Sequence, residues 1–136
     1  MKLKNVLVLC TGNSCRSIIA EAILNAELGD RLKCYSSGVA ASGRVHPLSL
    51  EVIREIGLST EGLYSKRIEE LPKLEFDLVV TVCDHAKETC PLFPGKAKVI
   101  HIGIEDPVGR DMQGFYECVQ AVTDRVLPAV MEAVED

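Results

Sequence analysis

The chain has 136 residues, 47% of them apolar, which is enough to build the core of one domain over residues 1–136 and gives no reason to expect a second. Twenty acidic against 15 basic side chains leave a net charge of −5 without any dense run of Lys or Arg, which argues against a nucleic-acid partner. The first apolar run is too brief for a signal peptide or a membrane span, so a soluble cytoplasmic protein is expected; in that reducing compartment six cysteines read as reactive or metal-binding thiols, not as a disulfide framework.

The first element is a short buried strand, Val6-Leu7-Val8-Leu9, and it runs straight into Cys10-Thr11-Gly12-Asn13-Ser14-Cys15-Arg16-Ser17. An amphipathic stretch opens at Ile18, so a strand delivers a cysteine to a tight loop that becomes a helix. Five residues separate Cys10 from Arg16, enough for the loop to wrap one tetrahedral oxyanion, with backbone N–H groups pointing inward and the guanidinium closing the ring. Thr11, Gly12, Asn13, Ser14, Cys15, Arg16 and Ser17 are then the candidate substrate-binding residues, and the positive cradle favours a thiolate nucleophile at Cys10. Gly12 is expected to allow a backbone conformation that a side chain hinders. Asn13 tolerates left-handed dihedrals, and Ser17 is placed to donate its hydroxyl to the sulfur or to cap the helix. An ordinary strand-to-helix turn with a buried structural cysteine is the plainer alternative.

Helical spacing then runs over about 17–28, stopped by Gly29-Asp30, and a second strand alternates through Leu32, Cys34 and Ser36 up to Ser37-Gly38. Residues 39–46 read as a mobile loop, and Pro47 starts a helix that ends at Gly57. Residues 65–71 suit another short helix broken by Pro72, Phe76 to Val82 a buried parallel strand, and Ala97 to Gly103 a fourth strand. The last helix carries Phe115, Val119, Val122, Val126, Val130 and Val134 at spacings of three and four, with Pro128 set to kink or interrupt it. Alternating strands and helices predict an α/β fold: a four-stranded parallel sheet with helices on both faces. Ligands bind such sheets beyond the carboxyl ends of the strands, which gathers the loops 10–17, 83–94 and 104–111.

The second of those loops has a cysteine at each end of a helix-compatible segment, Cys83 and Cys90. On a helix, seven residues at about 1.5 Å rise hold them roughly 10 Å apart, whereas a disulfide needs Cα atoms within about 7 Å. The pair is therefore either two thiols on a helix or a bridge on a looped-out segment; Pro91 ends the segment weakly, so unwinding it costs little. Metal ligation by Cys83, His85 and Cys90 and inert burial are the competing readings, the first weakened because paired Cys-x2-Cys knuckles are absent. The third loop supplies Glu105-Asp106-Pro107: a turn when taken alone, and a general acid opposite the cradle when placed beside Cys10. Cys34 and Cys118 read as small core hydrophobes, Cys15 lies inside the cradle motif, and His46, His85 and His101 have no partner that the sequence identifies.

The cradle, Thr81-Val82-Cys83 through Cys90-Pro91 and Glu105-Asp106-Pro107 together resemble the thioredoxin-coupled arsenate reductases, which share the low-molecular-weight tyrosine phosphatase fold. The resemblance implies that Cys10 attacks arsenate held by Arg16 and the loop amides, with Asp106 as proton donor. Cys83 then attacks Cys10 and Cys90 attacks Cys83, leaving an 83–90 bridge for thioredoxin, with arsenite released. It implies no metal or organic cofactor, a monomer, and side phosphatase activity; glutaredoxin-linked relatives use a similar cradle. Some relatives hold a potassium ion at positions corresponding to Asn13, Glu21 and Ser36 plus an aspartate; allowing a one-residue insertion near 40–46, Lys66 takes the aspartate's place, so no potassium dependence is expected. The alternatives are a phosphatase of phosphotyrosine or small phosphate esters, in which Cys83 and Cys90 are dispensable, and a non-catalytic redox sensor. Aromatic residues make up only 4% of the chain, which argues mildly against a deep phosphotyrosine slot.

Overall fold

The computed structural model describes residues 3–89 and 97–135. Strand β1 (Lys4–Cys10) is buried from Val6 onward, as a central parallel strand covered on both faces must be. It pairs with β2 (Leu32–Gly38) on one side and β3 (Leu78–Thr81) on the other, and β3 pairs with β4 (Lys98–His101). The order is β2-β1-β3-β4, all parallel.

Helix α1 (Arg16–Leu28) connects β1 to β2, and α3 (Asp84–Thr89) lies between β3 and β4. These crossovers step in opposite directions across the sheet, so right-handed connections put the two helices on opposite faces. Ile18, Ile19, Ala20, Ala22, Ile23, Leu24 and Leu28 of α1 are all buried, because the helix is sandwiched between the sheet and the C-terminal helix. Helix α2 (Pro47–Glu55) packs on α1 and on α4 (Met112–Ala121), and α5 (Leu127–Val134) completes the chain.

Pro128 does interrupt the last helix, by a specific device. Residues Val122–Val126 form one π turn in which the Leu127 N–H donates to Val122 O, five residues back. An α register would drive the proline ring into the carbonyl four residues earlier; the wider turn avoids that clash and the helix continues. The fully buried stripe runs through Phe115, Cys118, Val122, Val126 and Val130, with Val119 partly buried against the same core.

Two local expectations are corrected. Residues 65–71 do not form a full helix: only Ile68–Glu70 is helical, a 3₁₀ turn. The preceding backbone is spent elsewhere, with Lys66 O accepting from Gly38 N–H (3.0 Å) and Lys66 N–H donating to Asn13 Oδ1 (2.8 Å), so 65–67 extends the end of β2 instead. The segment 39–46 is not a free loop either. It is bonded to the cradle along its length, as described next.

Candidate active site

Cys10 ends β1 at the carboxyl edge of the sheet, with its sulfur accepting the Asn13 N–H at 3.3 Å and lying 2.8 Å from Ser17 Oγ. Asn13 is the one non-glycine residue at positive φ among the described residues (50°), and this left-handed step bends the loop back over the sulfur. Its fully buried side chain fixes that bend: Nδ2 donates to Ser17 Oγ (2.8 Å) and Ser36 Oγ (3.0 Å), while Oδ1 accepts from Lys66 N–H. Gly12 does not do what the sequence suggests, because its φ is not positive and a Cβ there meets only Ser14 Oγ, at 3.6 Å. The glycine that sterics demand is Gly38, where an added Cβ lands 2.4 Å from Thr11 O as β2 passes under the loop.

The loop's carbonyls face outward. Those of Cys10, Thr11, Gly12 and Ser14 accept from the N–H groups of Val39, Ala40, Ser42 and His46, each at 2.9–3.1 Å. Ser65 Oγ–H also donates to Gly12 O and Ser49 Oγ–H to Ser14 O. A peptide's C=O and N–H point in opposite directions, so segment 39–46 turns the loop amides toward the sulfur, as the Asn13 N–H demonstrates.

Arg16 opens α1, and its guanidinium donates to Ile104 O (3.2 Å) and lies 3.6 Å from Asp106 Oδ2. The loop after β4 thus closes the cradle from above. Asp106 is half exposed: Oδ1 accepts from Val108 N–H (3.0 Å), which makes the turn, while Oδ2 faces Arg16 at the rim of the cradle. From the loop after β3, Cys83 Sγ reaches 3.2 Å from Thr11 Oγ1 and accepts from Ala86 N–H at 3.3 Å. A second thiol therefore stands against the cradle, at the residue that follows Cys10. Cys90 lies outside the described residues, as does the side chain of His85.

The sequence model of the low molecular weight phosphotyrosine protein phosphatase family matches residues 5–136. The chain belongs to this family. Within it, the chain is 37% identical to arsenate reductase 2 of Staphylococcus epidermidis, over 96% of this chain and 95% of that one. The solved arsenate reductase of Archaeoglobus fulgidus superposes with a TM-score of 0.77 at 31% identity, covering 93% of this chain and 98% of its own. The low molecular weight protein tyrosine phosphatase of T. tengcongensis superposes equally well, TM-score 0.77 at 26% identity, over 95% and 98% of the two chains.

The floor of the cradle is a buried ion pair. Lys66, 5% exposed, brings its Nζ within 3.5 Å of both Glu21 Oε1 and Ser36 Oγ and donates to Tyr64 O (3.0 Å), with the Tyr64 ring 4.5 Å away. Ser36 Oγ–H donates to Glu21, and Ser36 in turn touches Asn13, so the ammonium is linked to Cys10 through Ser36, Asn13 and Ser17. Burial pushes the Glu21 carboxyl above its ordinary range, with Lys66 and Ser36 pulling it back. With an ammonium already beside Glu21 and Ser36, the residues present do not fit a bound potassium ion.

Cys15 is the N-cap of α1 with its side chain in the core, and burial raises its thiol, so only its backbone is available to an anion. Cys34 and Cys118 are also buried thiols pushed upward by desolvation, Cys118 to about 12. His46 has a partner that sequence reasoning missed: Nδ1 accepts from Leu48 N–H (3.1 Å) as the cap of α2, while the ring lies 4.9 Å from Phe115. An N-cap position ahead of Pro47 is the signal that was there to be read. The contact between Thr11 and Cys83, residues 72 apart, joins two of the loops that the α/β alternation gathers, although no local pattern pairs these two side chains. Among the described residues, no helix is long and apolar enough to cross a membrane.

Proposed function

We propose that this chain is an arsenate reductase of a single domain that works in the cytoplasm through three cysteines. Arg16 and the inward amides of residues 11–17 hold the oxyanion, and the Cys10 thiolate attacks the arsenic. Asp106 gives its proton to the departing oxygen, so water leaves and a sulfur–arsenic(V) bond forms. Cys83 thiolate then attacks the Cys10 sulfur; the sulfur–arsenic bond breaks with its electron pair going to arsenic, arsenite leaves, and a Cys10–Cys83 disulfide remains. Attack by Cys90 on Cys83 releases Cys10 and moves the oxidation to an 83–90 bridge, which a dithiol protein such as thioredoxin reduces. Arsenate and that reductant are its partners, and no metal or organic cofactor takes part.

The observation that carries this reading is the position of Cys83. A phosphatase needs one cradle thiol, yet here a second sulfur contacts the loop residue next to Cys10. The relatives at 31–37% identity that are named arsenate reductases support the same choice of substrate.

The test is to incubate reduced Cys90→Ser protein with arsenate and map disulfides by mass spectrometry, where a trapped Cys10–Cys83 bridge with about one arsenite released per chain is expected. A phosphatase remains the second reading because Cys10, Arg16 and Asp106 alone suffice for phosphoryl transfer. It is favoured instead if no bridge forms while an aryl phosphate ester is turned over with Cys83 replaced.

A further inference from the structure

His101 ends β4 in parallel register with Thr81 of β3. Its Nδ1 lies 2.8 Å from Thr81 Oγ1 and its Nε2 lies 3.3 Å from Asp84 Oδ1. Thr81 is the last residue of β3 and Asp84 the first of α3, so the imidazole spans the bend that presents Cys83. Those two residues stand two before and one after that cysteine.

The chemistry of the three groups fixes the ring. A carboxylate only accepts, so Nε2 carries the proton toward Asp84; the Thr81 hydroxyl can donate, so Nδ1 serves as its acceptor in the neutral ring. Neither bond requires a charged imidazole. Thr81 is fully buried, which rules it out as a nucleophile despite the resemblance of Thr81, His101 and Asp84 to a hydrolytic triad.

We propose that His101 is a positioning residue for the first thiol–disulfide exchange: it ties the end of β3 to the start of α3 so that Cys83 Sγ stays against Thr11, within reach of Cys10. This deepens the relay reading and rests on it. Asp84 is 90% exposed, so its tie to His101 adds nothing to the core; with Ala86 buried beneath the same turn, the tie fixes how the start of α3 presents Cys83. A loosely held attacking group loses rate even where its own chemistry is unchanged.

The test follows Cys10–Cys83 bridge formation against time by quench and mass spectrometry, in Cys90→Ser protein given arsenate. His101→Ala and the exposed Asp84→Ala are each expected to slow bridge formation about tenfold, the size of one lost charge-assisted hydrogen bond. The arsenate concentration at half-maximal rate should not move, because neither residue belongs to the cradle. His101→Gln, whose amide nitrogen mimics Nε2, should recover the rate to within about twofold, whereas His101→Asn, which mimics Nδ1, should not. Bridge formation at the parent rate in Asp84→Ala, or equal slowing by Ala, Gln and Asn at 101, overturns the proposal. A parent that forms no bridge at all overturns the relay itself.

Discussion

Lys66 Nζ and Glu21 Oε1 stand 3.5 Å apart under the oxyanion cradle, with side chains 5% and 13% exposed. Removing one partner of such a pair leaves an uncompensated buried charge. Lys66→Met is therefore expected to destabilise the protein by about 3–5 kcal/mol at neutral pH. The sign of its pH dependence follows from Glu21, which burial already raises above its unfolded value. A raised acid stabilises the fold below the unfolded pKa and loses that contribution as pH rises through the folded one, so the penalty in Lys66→Met should shrink as pH falls toward the ordinary glutamate range. Urea melts of both proteins across pH 4.5 to about 7 check this; a pH-independent difference would contradict it.

Because the ammonium is built in, exchanging NaCl for KCl at constant ionic strength is expected to leave turnover and melting temperature unchanged. Lys66→Asp should instead gather anionic groups around Ser36 and become potassium-responsive. Thermal melts in the two salts read this directly.

Ser17 Oγ is 2.8 Å from the Cys10 sulfur and also accepts from Asn13 Nδ2. Ser17→Ala removes a hydrogen bond available to the thiolate, an interaction of about 1.5–3 kcal/mol for a charged acceptor. Iodoacetamide alkylation of Cys10 at neutral pH should slow by about tenfold or more, with Cys83 alkylation unaffected. Peptide mapping resolves the two sites.

Asp106→Asn keeps the turn, since an amide oxygen still accepts from Val108 N–H, but cannot supply a proton. Turnover is expected to fall by about 100-fold or more, the usual worth of a positioned general acid. Stability should change little, the side chain being 52% exposed. Steady-state assays with arsenate, alongside a thermal melt, separate the two effects.

Cys15, Cys34 and Cys118 all have thiols raised by burial, Cys118 to about 12, whereas unfolded thiols ionise near 8.5. Their contribution to stability is complete below that unfolded value and is lost as pH rises toward the folded one, by about 1.4 kcal/mol per pH unit for each thiol. Urea midpoints should drop between pH 8 and about 10. Cys118→Ala should show a shallower drop than the parent, and an identical slope would mean that the thiol is not the cause.

Much of this molecule was written in local patterns. The apolar run into β1, the helical spacing of α1 and the β-α alternation dictate a parallel sheet, because hydrophobic periodicity and backbone sterics act over a few residues. Cys10 through Ser17 lie so close in sequence that one bend at Asn13 gathers them, which is why the cradle was legible. Asn13 was read as the residue able to take the left-handed step, and it does; Gly12 was misread because the crowding that demands a glycine falls at Gly38, which a distant strand brings under the loop.

What needed tertiary structure was which side chains and peptide groups from distant parts of the chain come into contact. Cys83 meets Thr11 only because β3 lies beside β1 and both end at one edge, and Lys66 reaches Glu21 only because 65–67 leaves helical geometry to extend β2. The segment 39–46 looked mobile because no helix or strand period runs through it; its order comes from carbonyls of another loop and from Val39 and Val45 packing on the core. Side chains and peptide groups can declare in sequence what they are able to bond. Which partner satisfies them is decided by packing, since a buried polar group must take the donor or acceptor that the fold brings within reach.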